Sequence, residues 1–199
     1  MIGRRGLIAG CLCCGALASG RATAQGVMLC DFAGFGFGMM PPILGQGTPR
    51  AYEDVTRILS AIDLQVPITI LQAGGGNAFA MRAPDGQAII GYNPAFLGQL
   101  LEIGGPFAPV SVLAHEVGHH ANGDTTWFGV FRHPWHRELG ADFVSGLALA
   151  RLGASPEEAT RALRAMFNFG SPSHPDTPRR MAAVMDGWQR GSGRPLPYR

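Results

Sequence analysis

The chain lacks lysine altogether, so arginine provides all 16 of its basic residues, against 14 acidic residues in a length of 199. None of the arginines belongs to a run longer than a pair. A nucleic-acid-binding face requires a cluster of positive charge. This composition therefore excludes DNA and RNA as natural ligands.

The apolar run at the amino terminus, residues 6–20, is shorter than the roughly 20 residues that a membrane-spanning helix needs. Two arginines precede this run, and residues 22–24, Ala-Thr-Ala, supply the small residues of a signal-peptidase site. We therefore predict that residues 1–24 are a signal peptide that is removed on export. The mature protein would then be periplasmic or secreted.

The paired arginines, residues 4–5, also resemble a twin-arginine signal, which exports a folded protein. A lipoprotein cleavage box at residues 8–11 fits less well, because the apolar stretch before it is only a few residues long. Cysteine is scarce beyond the signal: Cys30 alone remains, which excludes an internal disulfide. The mature chain has 199 − 24 = 175 residues, which is the size of one small domain.

Residues 25–48 form an apolar lead-in that is rich in glycine and proline and contains one charged residue, Asp31. Such a segment can wrap the surface of the domain, cover a functional groove, or make a peripheral contact with a membrane through residues 26–48. All three alternatives stay open on the sequence alone.

Residues 49–190 are predicted to form one α+β domain, followed by a tail at residues 191–199. Thr48 and Pro49 are typical of a helix N-cap and a first helical position, and residues 84–86, Pro-Asp-Gly, indicate a turn between two short strands. A further strand is predicted at residues 66–72, and helices are predicted to start near residues 49, 94, 109, 135, 156 and 177. Because helices follow the strands, we expect a small mixed sheet and a helical C-terminal half.

The stretch HEVGHH, residues 115–120, contains half of the six histidines of the chain. On a helix, residues four apart point in nearly the same direction, so His115 and His119 can supply two ligands of a tetrahedral zinc ion. Glu116 lies about 100° further round the helix, near a metal-bound water without being a ligand, as a general base requires. His120 points away from His119, and we assign it a surface or supporting role.

The third ligand has three candidates downstream of this motif. A metzincin would need glycine at position 122 and histidine at position 125, where the chain has Asn122 and Thr125. His133, His136 and Glu138 can each reach the metal in principle.

Asp142 lies one turn beyond Glu138 on the same face of the predicted helix, among apolar positions that indicate burial. Two buried carboxylates require a cation nearby, and zinc would provide one. This arrangement suits a carboxylate ligand with a second carboxylate that orients a metal-bound histidine.

Four motifs, in order along residues 77–180, resemble those of the HtpX and CAAX prenyl protease family of gluzincin metallopeptidases. The motifs are Asn77-Ala78-Phe79-Ala80, HEVGH at 115–119, ELGAD at 138–142, and His174-Pro175 followed by Arg180. Many members of that family are embedded in membranes, with spanning segments between the two metal motifs. Here only residues 120–137 separate these motifs, so the chain resembles a minimal, soluble version.

The resemblance implies a zincin-like fold, an active-site helix with the HExxH motif, and a Zn²⁺ cofactor. It implies that His115, His119 and Glu138 are the zinc ligands, that Glu116 is the general base, and that Asp142 orients a ligand. His174 is expected either to donate a hydrogen bond to the oxyanion of the tetrahedral intermediate or to be a surface histidine before a proline turn. Arg180 is expected to pair with a carboxylate near the site.

The segment from Asn77 to Ala80 is expected to bind the substrate. Small residues alternate in it at Ala78 and Ala80, and a free strand edge can hold an extended peptide through main-chain hydrogen bonds. The alternative is a core strand with Phe79 packed inside.

The sequence therefore predicts an exported zinc metalloendopeptidase, in which a zinc-activated water attacks the peptide bond and Glu116 takes the proton. Its partners would be polypeptide substrates, including misfolded proteins of the cell envelope. The alternative is a zinc-stabilised, chaperone-like binding module of the envelope without proteolysis. Glu116 argues against this alternative, because a structural zinc site needs no base.

Overall fold

The computed structural model of the protein describes residues 41–193 and the backbone of residues 30–31; the side chain of Val130 lies outside the description. The predicted signal peptide, most of the lead-in, and residues 194–199 of the predicted tail also lie outside the described residues.

The described residues form five strands and six α-helices. The strands are β1 (Cys30–Asp31), β2 (Ile43–Gln46), β3 (Ile68–Ala73), β4 (Ala78–Arg82) and β5 (Ala88–Tyr92). The helices are α1 (Pro49–Ala61), α2 (Pro94–Gly104), α3 (Phe107–Ala121), α4 (Pro134–Arg151), α5 (Pro156–Ala165) and α6 (Thr177–Gly191), and Gly129–Phe131 form a turn of 3-10 helix. Thr48 caps α1 as predicted, by accepting a hydrogen bond from the N–H of Ala51.

The strands form one mixed sheet in the order β1-β4-β5-β3-β2. β3 and β5 are parallel, whereas the other neighbours are antiparallel. The turn predicted at residues 84–86 joins β4 to β5. The predicted α+β class, with a small mixed sheet and a helical C-terminal half, is therefore confirmed, and the finer assignment to a zincin-like fold stays a proposal.

The two faces of the sheet have different roles, because successive side chains of a strand alternate between them. Ala78, Ile90 and Tyr92 belong to the main core, which the sheet shares with the helices. Phe79 and Met81 form a smaller cluster on the other face.

α3 is the central helix, and residues 111–120 within it are all buried. It packs against β4 and β5 on one side and against α4 on another. A Cβ atom on Gly118 would lie 2.8 Å from Cα of Ala141, so glycine allows α3 and α4 to approach closely at the level of the histidines. This explains why a residue with low helix propensity lies in the middle of α3.

α4 and α6 lie side by side and run in the same direction. A Cβ atom on Gly187 would overlap the carbonyl of Phe143, and four residues later one on Gly191 would approach the carbonyl of Leu147. The amino-terminal ends of both helices are therefore at the same end of the molecule. Of the described helices, none combines the length and the apolar character needed to cross a membrane.

Candidate metal centre

Two histidines of α3 place their ring nitrogens side by side in the interior. Nε2 of His115 lies 3.1 Å from Nε2 of His119, and both side chains are buried. The convergence follows from helix geometry, because residues four apart lie on the same face.

Glu138 of α4 adds a third donor to this pair. Its Oε2 lies 3.4 Å from Nε2 of His115, and its Oε1 lies 3.6 Å from Nε2 of His119. Ligand atoms at 2.0–2.1 Å from a tetrahedral zinc ion are separated from one another by roughly 3.3–3.4 Å. The observed distances of 3.1, 3.4 and 3.6 Å are close to this separation, so the three side chains could hold one metal ion.

The chemistry of Glu138 supports the same interpretation. The side chain is buried, and its Oε2 accepts no hydrogen bond from the described residues. Burial alone would raise the pKa of Glu138, but the nearby His115, His119 and Arg180 outweigh it and lower the pKa to about 2. Arg180, whose Nη2 lies 3.8 Å from Oε2 of Glu138, supplies part of the positive charge that this buried carboxylate requires, and a bound metal ion would supply more.

Among the side chains that the structure describes within residues 41–193, these three form the one group of at least three His, Cys, Asp or Glu residues close enough to share an ion. Two imidazoles and a carboxylate suit zinc and other divalent transition metals. The group therefore indicates a metal site without identifying the metal.

Asp142 orients the ring of His115 through Nδ1, the ring nitrogen that does not face His119 and Glu138. Its Oδ1 lies 2.9 Å from Nδ1 of His115, so Nδ1–H donates to the carboxylate and Nε2 is left for a metal. Arg180 of α6 donates two hydrogen bonds of 2.8 Å to the same carboxylate. Asp142 and Arg180 therefore lie next to the three donor residues. His115, Asp142 and Arg180 are all buried.

These contacts control the protonation of His115 in the metal-free protein. Burial acts to lower the pKa of His115, but the charge and hydrogen bond of Asp142 and the nearby carboxylate of Glu138 outweigh it and raise the pKa to about 9. Burial also acts to raise the pKa of Asp142, and Arg180 and His115 together lower it. A proton on His115 therefore supplies part of the positive charge that the buried carboxylates need when no metal is bound.

A second carboxylate, Asp124, which was not predicted from the sequence, holds His119 in the same way. Oδ2 of Asp124 lies 3.1 Å from Nδ1 of His119, and its Oδ1 accepts a hydrogen bond of 2.7 Å from Arg132. Asp124 is fully buried, whereas the side chain of Arg132 is 44% exposed. Burial is the largest cause that lowers the pKa of His119, so this ring is neutral at pH 7.

A signal for Asp124 was present in the sequence. It is the single acidic residue between Glu116 and Glu138, and it directly follows the Asn-Gly pair that ends α3. Gly123, with a φ of 71°, turns the chain back, and the N–H of Asp124 then bonds to the carbonyl of His119. A carboxylate at such a turn lies under the last turn of the helix.

Glu116 is fully buried beside His115. Burial acts to lower the pKa of Arg180, and the charges of Asp142, Glu138 and Glu116 together raise it. Glu116 is therefore part of the same buried charge cluster, next to the candidate metal site.

The surface role offered for His120 is wrong. Its side chain is buried, with Nε2 at 3.0 Å from the carbonyl of Ile89 in β5 and Nδ1 at 3.1 Å from Oγ1 of Thr125. Burial is the main cause that lowers the pKa of His120 to about 4. The neutral ring therefore ties α3 to the sheet, with Nε2–H as the donor to Ile89.

His174 lies between the donor group and the solvent, in the segment that joins α5 to α6. Its Nε2 is 3.6 Å from Oε2 of Glu138, and its side chain is partly exposed. His133 and His136, by contrast, are exposed and lie outside the metal group. His133 caps α4 by accepting a hydrogen bond from the N–H of Trp135.

The predicted substrate segment, Asn77 to Ala80, consists of the start of β4 and the residue before it. Ala78, Phe79 and Ala80 are buried, and the ring of Phe79 covers Gly91 of the neighbouring strand. β5 pairs with one edge of β4, and β1 pairs with the other, so that residue 30 is opposite Ala80 and residue 31 is opposite Phe79. The expectation of a free strand edge is therefore wrong at these two positions, because part of the lead-in occupies that edge.

Comparison of the chain with protein-family models gives no match, and comparisons with curated proteins and with solved structures give no significant match. The interpretation of the site therefore depends on its own geometry and chemistry.

Proposed function

We propose that this protein is a zinc metalloendopeptidase with a zincin-like fold. The observation that carries the proposal is the buried group of His115, His119 and Glu138, whose donor atoms lie 3.1–3.6 Å apart, close to the separation of ligands around a tetrahedral zinc ion. Three protein ligands with one open position are typical of catalytic zinc, whereas structural zinc has four. The resemblance of four sequence motifs to the HtpX and CAAX prenyl protease family favours the same function.

The residues around this group match the needs of peptide-bond hydrolysis. A zinc ion held there would supply Lewis acidity toward the scissile carbonyl and toward water. Glu116, adjacent to His115 in sequence and in the same charge cluster, would take the proton of the attacking water and deliver it to the leaving amine. His174, at the solvent side of Glu138, would donate a hydrogen bond to the oxyanion.

The test of this function measures zinc content and cleavage together. Denatured proteins would be digested with the mature wild type, Glu116→Gln and Glu138→Gln, and the peptides identified by mass spectrometry. Glu116→Gln should keep one zinc per chain and lose cleavage by several orders of magnitude, because all three ligands remain. Glu138→Gln should lose zinc instead.

The control for this test is His133→Ala together with His136→Ala, since both residues are exposed and lie outside the metal group. This variant should keep zinc and cleavage. Zinc-loaded wild type that cuts none of the denatured proteins would refute the proposed protease function.

We further propose that the polypeptide substrate is added as a strand along Asn77 to Ala80. Since β1 pairs with β4 at Phe79 and Ala80, the substrate would have to displace β1. A chain that begins at residue 41 should therefore show a lower KM than one that begins at residue 25, at equal zinc content. An unchanged KM would mean that this edge is not where the substrate binds.

A zinc-stabilised, chaperone-like module is the second candidate, and one observation favours it. The three candidate ligands and Glu116 are all buried, as in a closed structural site. This candidate predicts that wild type and Glu116→Gln suppress the aggregation of denatured envelope proteins equally well and that neither cuts them.

Export is proposed from the sequence of residues 1–24 alone. Amino-terminal sequencing of the protein from a periplasmic fraction should give Gln25 as the first residue. Cytoplasmic protein that retains Met1 would contradict it.

A further inference from the structure

Five aromatic side chains project from one end of the described molecule. Trp127 is 71% exposed, Phe128 82%, Phe131 75%, Phe167 58% and Phe169 91%. We call this set the aromatic surface. Ring centroids lie 5.9 Å apart for Trp127 and Phe131, and 5.1 Å apart for Phe167 and Phe169. Apolar side chains that are exposed as a group mark an interaction site, unlike single exposed residues.

The two parts of the aromatic surface lie at the same end of the molecule. Trp127, Phe128 and Phe131 precede α4, and Phe167 and Phe169 precede α6, and these two helices run in the same direction side by side. The segments before the two helices are also joined directly, because the indole N–H of Trp135 donates a hydrogen bond of 2.9 Å to the carbonyl of Ser171.

The aromatic surface borders the metal centre. Arg132 directly follows Phe131 and bonds to Asp124, which holds His119. On the other side, His174 follows Phe169 by five residues and lies 3.6 Å from the carboxylate of Glu138.

The charged groups exposed at this end are arginines, of which Arg132 and Arg179 are each paired with a less exposed carboxylate. Every ionisable side chain between residues 125 and 137 is an arginine or a histidine, and the carboxylates on either side, Asp124 and Glu138, are buried. In the second segment, Asp176 is half-buried and paired with the exposed Arg179. Within residues 124–138 and 166–180, no carboxylate is both exposed and unpaired.

We infer that the aromatic surface docks on a lipid bilayer that contains anionic headgroups. Tryptophan and phenylalanine among basic residues are the side chains that enter the membrane interface. The high exposure of the five rings shows that they are projections rather than the lining of a groove, and a fluid bilayer accepts projections without a complementary shape. The exposed guanidinium groups of Arg132 and Arg179 beside them can contact anionic headgroups.

Docking in this way would hold the solvent side of the metal centre, marked by His174, close to the membrane surface. Polypeptides at the bilayer would then be within reach of the site. The docking itself does not depend on the proposed proteolysis, and it can be measured without any cleavage assay.

The experiment uses the mature chain, beginning at residue 25, and sucrose-loaded vesicles of phosphatidylcholine mixed with phosphatidylglycerol. The wild type should co-sediment with the vesicles, and less so as salt is raised, because salt screens the attraction to the headgroups. The triple variant Trp127→Ala/Phe128→Ala/Phe131→Ala should bind roughly tenfold more weakly or worse. Leu101→Ala/Ile103→Ala, which removes two exposed apolar side chains of α2, is the matched control and should bind as the wild type does.

Trp127 also provides a direct reporter, because it is one of three tryptophans in the chain and the most exposed of them. Vesicles of brominated lipid should quench the fluorescence of the wild type more than that of Trp127→Phe. This difference separates docking through the aromatic surface from contact through the lead-in, which both chains retain.

Either of two results with vesicles would overturn the inference. One is a triple variant that binds vesicles as the wild type does, and the other is equal quenching of the wild type and Trp127→Phe. If the triple variant raised the KM for apolar peptides while vesicle binding was absent in all chains, the aromatic surface would be a polypeptide-binding site and the membrane inference would be wrong.

Discussion

The two histidines of the candidate metal centre are held by similar groups in different surroundings. In the Arg180 arm, His115 bonds to Asp142 and Asp142 bonds to Arg180; in the Arg132 arm, His119 bonds to Asp124 and Asp124 bonds to Arg132. The side chain of Arg180 is 1% exposed and that of Arg132 is 44% exposed. The order imidazole, carboxylate, guanidinium is therefore repeated, but only one of the two arms ends in the solvent.

Because of this difference in burial, we expect the Arg180 arm to contribute to the stability of the fold and the Arg132 arm to be able to change its contacts. A buried ion pair has lost the hydration of both partners, so the removal of one partner leaves a charge that water cannot reach. The members of the Arg180 arm come from α3, α4 and α6, and each one neutralises the others. The guanidinium of the Arg132 arm can return to water, and solvent screens its attraction to Asp124.

The largest effect is expected from Arg180→Gln, which leaves Asp142 and Glu138 buried without their guanidinium. The metal-free protein should lose about 3–5 kcal/mol of unfolding free energy, measured by urea denaturation. Bound zinc should recover part of this loss, because it supplies positive charge to the same carboxylates. Arg179→Gln, at the exposed neighbouring position, is the control and should change stability by less than about 1 kcal/mol.

The next largest effect is a dependence of the unfolding free energy on pH, which we expect from the Arg180 arm and not from the Arg132 arm. The pKa of His115 is raised from 6.5 to about 9 in the folded metal-free protein, so the proton stabilises the folded state. This contribution is complete below pH 6.5 and is lost as the pH rises through 9, by up to about 3 kcal/mol. Urea denaturation of protein treated with a chelator, across that range, measures the loss.

Two comparisons test whether this pH effect belongs to the Arg180 arm. Asp142→Asn should remove most of the alkaline loss, because the charge of Asp142 is the main cause that raises the pKa of His115. His119, whose pKa is lowered, adds no alkaline loss. Zinc-loaded protein should also lack it, since a metal ligand must be unprotonated. An equal alkaline loss in Asp142→Asn would assign the effect to another group.

Local geometry explains which parts of the site could be predicted from the sequence. The convergence of His115 and His119 depends only on the helical repeat, and the turn between β4 and β5 depends only on residues 84–86. Glu138 depends instead on the packing of α4 against α3, which requires the close contact of Gly118 with Ala141. Spacing alone therefore left three candidate ligands open, and the family resemblance was needed to choose among them.

The features of the site that were not predicted from the sequence depend on non-local contacts. His120 is buried because β5, some 30 residues earlier in the chain, offers the carbonyl of Ile89 to it. β1 consists of two residues that pair with β4 about 50 residues later, and no short-range pattern marks so short a strand. Asp124 was the exception, since its place directly after the end of α3 was visible in the sequence.

Asp124→Ala should have an intermediate effect, because it removes the group that orients His119. The affinity for zinc should fall by about 10–100-fold, measured by competition with a chelating dye. Unfolding free energy of the metal-free protein should fall by about 1–3 kcal/mol, which is less than for Arg180→Gln because Arg132 can turn to solvent. Asp63→Ala, which removes an exposed carboxylate with an exposed arginine partner, should leave zinc affinity unchanged.

The smallest effect is expected from Arg132→Gln, the counterpart of Arg180→Gln in the other arm. Water can replace the lost guanidinium at Asp124 from the exposed side, and the carboxylate keeps its bond to His119. Unfolding free energy should therefore change by less than about 1 kcal/mol, and zinc affinity should fall by much less than in Asp124→Ala. Urea denaturation and dye competition on Arg132→Gln and Arg180→Gln, side by side, measure the contrast. Equal losses in the two variants would show that burial of the guanidinium is not what separates the two arms.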